Sequence, residues 1–127
     1  MHYSRLAGLV IDCETDDLSR SADFWSQALG HKTKDSRRPE DEGYVLLETK
    51  PDEPHIELQA VGHPSRVHID IETDDVEAEV SRLERLGAKR LRKARHWWIM
   101  EAPSGHRFCV IHSDDDLTQK DNVNAWP

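Results

Sequence analysis

The residues of this chain that could do chemistry fall on one strand period. Side-chain alternation places Val10, Asp12, His55, Glu57, Gln59, His68, Asp70, Glu72, Arg107 and Cys109 in one set, and most of them are polar. Glu57 and His68 supply a carboxylate and an imidazole, the pair of groups suited to accept and donate a proton. The same two groups also serve as a plain hydrogen-bonded pair with no catalytic role. Asp12 and Asp70 hold matching places in a repeated segment, where they either point into a groove or cap strand edges. Cys13 and Cys109 stand alone, without a C-x-x-C or zinc-type spacing. His2, His31, His63, His96 and His112 show no spacing typical of metal ligands. The polar set is either the solvated face of an antiparallel sheet or the wall of a ligand groove, and alternation does not choose between them.

The elements that must position these residues are written twice. Residues 11–18 read IDCETDDL and residues 69–76 read IDIETDDV, six of eight identical at an offset of 58. Leu29-Gly30 recurs as Leu86-Gly87 at an offset of 57. A period this long marks a duplicated supersecondary unit. Each copy opens with an alternating strand, Leu9–Glu14 and Val67–Glu72. Each strand then meets an acidic helix start. Asp74 with Glu77 predicts a capping box on the second helix, which carries Val76, Val80, Leu83 and Leu86 at helical spacing. Leu18, Ala22, Trp25 and Leu29 form the matching stripe on the first, and Gly30 and Gly87 predict left-handed ends.

Three strands are expected after each helix, near 31–36, 43–49 and 54–61, then near 88–93, 96–102 and 106–112. The charged stretch Asp35–Glu42, with Pro39, predicts a hairpin loop, and Pro103-Ser104-Gly105 a turn. The expected organisation is a single domain over 1–112, made of two βαβββ modules at about 6–60 and 65–112. Residues 113–127 are expected to form a loose polar tail, with docking by Trp126 left open. The complementary apolar set, Leu9, Ile11, Cys13, Ile56, Leu58, Val67, Ile69, Ile71, Phe108 and Val110, is expected to pack on the helices. Trp97 and Trp98 lie on opposite strand faces, and Trp98 is expected to wall the groove.

Composition narrows the function classes. The 127 residues carry a net charge of -8, which argues against nucleic acid, because phosphate binding needs a basic stripe. No apolar run reaches the length of a membrane span, and no signal peptide is expected at the N-terminus. A cytoplasmic protein with two reduced thiols is the default expectation.

The motifs resemble those of the glyoxalase/bleomycin-resistance/dioxygenase (vicinal oxygen chelate) superfamily, in its glyoxalase-like subgroup. Asp17-Leu18, Phe24-Trp25 and Leu29-Gly30 occur in the order of its first module. His68-Ile69 through Asp75-Val76 matches the opening of its second module. Ala102-Pro103-Ser104-Gly105-His106, followed by Phe108-Cys109-Val110, matches its closing motif. The resemblance covers about residues 6–112 and implies an α+β fold whose curved mixed sheet lines a groove. It also implies a divalent ion held by one side chain from each of four strands, at Val10, Glu57, His68 and Cys109. Valine cannot ligate; cysteine can, which leaves Glu57, His68 and Cys109 as a three-ligand set, but a thiolate suits the family's hard ions poorly, so no metal and no cofactor are expected.

The expected function is binding of a small molecule in a polar groove formed by Val10, Asp12, Glu57, Gln59, His68, Asp70, Trp98 and Cys109. Glu57 and His68 are the catalytic candidates if the protein is an enzyme. Alternatives are a metal-dependent lyase, isomerase or dioxygenase, and a sequestering protein of the bleomycin-resistance type. The resemblance further implies a homodimer, while charge and hydropathy lead to the expectation of no nucleic-acid or membrane partner.

Overall fold

The computed structural model describes residues 1–34 and 42–127. The hairpin loop expected at Asp35–Glu42 lies outside the described residues apart from Glu42. Two compact units are present: Gly8–Val67, and Met1–Ala7 together with His68–Pro127.

The Gly8–Val67 unit holds most of β1 (His2–Glu14), α1 (Leu18–Leu29), β2 (Thr33–Lys34), β3 (Tyr44–Leu47) and β4 (His55–Val61). Its strands run in the order β2-β3-β4-β1, antiparallel except for the parallel β4–β1 pair. Helix α1 starts where Asp17 accepts the Arg20 N–H at 3.2 Å. It ends at Gly30, whose φ of 71° an L side chain rarely adopts. The apolar stripe of α1 packs Ala22, Leu18 and Trp25 against Cys13, Leu47 and Leu58 of the strands. Leu29, the last residue of that stripe, is exposed. Gly8 faces His55 across the parallel pair, and an added Cβ there would run into the His55 carbonyl oxygen.

The other unit repeats the arrangement with β5 (Arg66–Thr73, from His68 onward), α2 (Val76–Arg85), β6 (Lys89–Ala94), β7 (Trp97–Glu101) and β8 (Arg107–His112). Its strand order is β6-β7-β8-β5, again with the closing pair parallel. Each module is therefore βαβββ with the same strand order, and the fold class is α+β. The core behind this sheet is Val80, Leu83, Met100 and Val110, ringed by Ile71, Val76, Trp98 and Phe108.

Four details depart from the sequence expectations. First, Val67 and Ile69 are exposed at 57% and 45% rather than packed on a helix. Eight residues of strand span about 26 Å, whereas ten of helix span about 15 Å, so α2 covers only the end of β5 near Ile71. Second, the cap of α2 is Asp75, which accepts the Ala78 N–H at 3.0 Å. Asp74 instead accepts the Tyr3 backbone N–H at 2.8 Å.

Third, residues 113–127 are ordered. They form a short 3₁₀ helix (Leu117–Gln119) and β9 (Asn124–Trp126), which pairs antiparallel with His2–Ser4 at the start of β1. Fourth, Trp98 joins the helix-side core. It is the register partner of Val110 and lies two residues from Met100, so alternation puts it opposite Cys109. Trp97 and Ile99 share the side of Cys109.

Candidate ligand site

Strands β5 and β8 bring three chemically different donors together. His68 and Asp70, two residues apart on β5, project from the same face. Cys109 of β8 is the direct register partner of Asp70. One donor atom from each of the three residues lies within 4.8 Å of the others. His68 Nε2 stands 3.4 Å from Asp70 Oδ1, and the two side chains are only 14% and 18% exposed. This contact permits charge attraction when the imidazole is protonated, but it lacks hydrogen-bond alignment. Asp70 Oδ1 is buried and accepts no hydrogen bond among the described residues. An imidazole nitrogen, a carboxylate oxygen and a thiol sulfur thus converge on one small polar spot.

The matching strands of the Gly8–Val67 unit place Val10 beside Glu57 and Asp12 beside Gln59. Val10 and Asp12 are buried, at 2% and 3% exposure, while Glu57 and Gln59 are half-buried. Register also refines the comparison of the two repeats. Ile11 partners Leu58, and its repeat mate Ile69 partners Phe108. Cys109 therefore stands at the place of Gln59, and Arg107 at the place of Glu57. The family resemblance sets Cys109 at the place of Glu57, and alternation, which identifies a face without identifying a register, does not test that match.

A second polar cluster escaped the sequence pattern. Glu79 of α2 is fully buried beneath the tail. It accepts hydrogen bonds from Arg82 Nε at 2.7 Å and Nη2 at 2.9 Å, and it bonds His2 Nε2 at 2.9 Å. Burial by itself would raise its pKa. The bonds from Arg82, His2 and Ser4 outweigh that and hold the carboxyl at about 2. The Arg82 guanidinium lies 3.8 Å from the centre of the Trp126 ring, and Trp126 Nε1 donates to Ser4 Oγ at 2.8 Å. Nearby, Arg5 pairs with Glu72 at 2.7 Å and donates to the Asp121 carbonyl at 2.8 Å. One signal was present in the sequence: Glu79 falls inside the stripe Val76–Val80–Leu83, where a carboxylate has to be paired.

Paired βαβββ modules with an identical strand order, and polar residues on the strands that close each module, define the class. Residues 8–111 match the model of the glyoxalase-like domain family, and the chain belongs to that family. Solved structures share the fold. A variant of Streptomyces coelicolor methylmalonyl-CoA epimerase, in complex with 2-nitronate-propionyl-CoA, superposes with a TM-score of 0.64 at 17% identity, over 87% of this chain and 98% of that one. Methylmalonyl-CoA epimerase from Mycobacterium tuberculosis gives 0.63 at 17% identity, over 90% and 91%. A glyoxalase/bleomycin resistance protein/dioxygenase superfamily member from Vibrio splendidus gives 0.56 at 18%, over 84% and 97%. At these identities the likeness is one of fold. No curated protein shows significant sequence similarity to the chain. Among the described residues, no helix is long and apolar enough to cross a membrane.

Proposed function

We propose that this glyoxalase-like protein binds a small molecule, with His68, Asp70 and Cys109 as the recognising group of one unit. Glu57, which carries the half-buried carboxylate of the other unit, is the second acid–base candidate. The observation that carries this reading is the buried Asp70 Oδ1 without a hydrogen bond. An acceptor left unsatisfied in a buried place costs about 1–3 kcal/mol, and a donor on a ligand recovers that energy. The fold supports the same reading, since related structures hold coenzyme A derivatives. Within the family's range of activities, a lyase or isomerase needs an acid and a base, and His68 in one unit and Glu57 in the other are each candidates for such a group. A sequestering protein needs only the binding. Homodimerisation in solution is part of the proposal and is checked by sedimentation.

The test is a thermal-shift screen of small molecules, with coenzyme A thioesters included, followed by titration of the hits against wild type, Asp70→Asn and His68→Ala. A ligand at 100 times its Kd stabilises the protein by about 2.7 kcal/mol, well within reach of the assay. Hits are expected to lose at least tenfold in affinity for both variants. Unchanged affinity in both variants would place the ligand elsewhere and refute the reading. Turnover of a hit by wild type separates the enzyme from the sequestering protein.

A further inference from the structure

The four-strand ion site that the family resemblance implies does not fit this chain. Its first position is Val10, an aliphatic side chain 2% exposed that offers no donor atom. Its last position, Cys109, stands in register with Asp70 rather than at the place that matches Glu57. The donors have regrouped within one unit.

We infer that His68, Asp70 and Cys109 form a three-donor site for a thiophilic divalent cation of the Zn²⁺ class. Geometry comes first. Zinc bonds of about 2.0–2.3 Å in tetrahedral array set neighbouring donors about 3.3–3.8 Å apart. His68 Nε2 and Asp70 Oδ1 already stand 3.4 Å apart, and Cys109 Sγ falls within the 4.8 Å limit that encloses all three. Small side-chain rotations close the remaining gap, because Asp70 and Cys109 are direct neighbours on hydrogen-bonded strands.

The second support is Asp70 Oδ1 itself, an acceptor held out of solvent with no hydrogen bond among the described residues. A cation satisfies such an oxygen more completely than a solvent molecule does. The third is the donor chemistry. One sulfur, one nitrogen and one oxygen suit Zn²⁺ or Co²⁺, whereas Mg²⁺ and Ca²⁺ prefer all-oxygen shells. Three protein donors leave a fourth position open to water or to an organic ligand, the pattern of zinc sites that do chemistry.

The inference rests on reading these three residues as a binding group, and its test uses the metal alone. Metal-stripped protein is titrated with Zn²⁺ by calorimetry and with Co²⁺ by absorption. Expected are one Zn²⁺ per chain with a Kd in the micromolar range or tighter, and a sulfur-to-cobalt charge-transfer band in the near ultraviolet. Cys109→Ser and Cys109→Ala should both abolish the band, and Cys13→Ala should keep it. Asp70→Asn and His68→Ala should each weaken Zn²⁺ at least tenfold, with melting curves of the metal-free variants confirming that they fold. Mg²⁺ should not compete at millimolar concentration. Zn²⁺ binding weaker than about 1 mM, a band that survives loss of Cys109, or equal affinity for Mg²⁺ would each overturn the inference. Failure of zinc to bind leaves the organic-ligand screen untouched. A screen without hits leaves the cobalt band intact, so the two readings fail separately.

Discussion

Replacing Glu79 with Gln tests how much of this fold depends on one buried charge. The carboxyl is held at about 2 against an ordinary value of 4.5, and its side chain is fully buried, so solvent screens it little. At about 1.4 kcal/mol per pH unit, that gap corresponds to roughly 3 kcal/mol. A folded-state value below the unfolded one gives stability that is fully present above pH 4.5. That stability drains away as pH falls through about 2. Glu79→Gln keeps the size of the side chain and removes the charge that Arg82 and His2 face. Urea unfolding at pH 7 should show the variant less stable by about 3 kcal/mol, or about 10 °C in Tm for a chain of this length. At pH 3 the linkage relation leaves less than half of that difference, and it shrinks further toward pH 2. The comparison cancels the other carboxylates, which titrate in both proteins. A difference of equal size at pH 7 and pH 3 would show that packing, and not charge, is what the variant loses.

Trp126→Ala removes the ring under Arg82 and the bond to Ser4, and should lower stability by about 2 kcal/mol while speeding hydrogen exchange at Ser4. An unaltered melting curve would mean that the tail adds nothing to the fold. Gly8→Ala forces a methyl group into the His55 carbonyl and should cost about 1–3 kcal/mol by prying β1 from β4. A neutral result in urea unfolding would show that the strand pair yields freely at that point.

Period and repetition made the modules legible. Alternation over Leu9–Glu14 and the second copy of the IDxETDD segment locate both opening strands, and Asp17 and Gly30 bound α1 as their chemistry demands. What stayed hidden needed information that local pattern does not carry. Alternation assigns Asp70 and Cys109 to a face, but only strand register makes them neighbours. Trp97 and Trp98 are adjacent and equally apolar, so parity had to come from the burial of Met100 and Val110. His2 and Glu79 are separated by 77 residues, and Ser4 and Trp126 by 122, so no spacing rule reaches them. The exposure of Val67 and Ile69 reflects the length of a helix, which strand pattern cannot report.

The pairing of His2–Ser4 with Asn124–Trp126 bears on the order in which the chain can fold as it is made. Residues 8–67 are contiguous, so that unit can close as soon as its last strand leaves the ribosome. The other unit is split between the first seven residues and the stretch from His68 onward. His2 waits for Glu79, and Ser4 waits for Trp126. At about 5–20 residues per second, the roughly 60 residues between Val67 and Trp126 take about 3–12 s to emerge. Through that interval the leading edge of β1 has no β9 to pair with. A nascent chain stalled before residue 124 should therefore leave the His2–Ser4 edge open to a holding chaperone, and release of the full chain should close it.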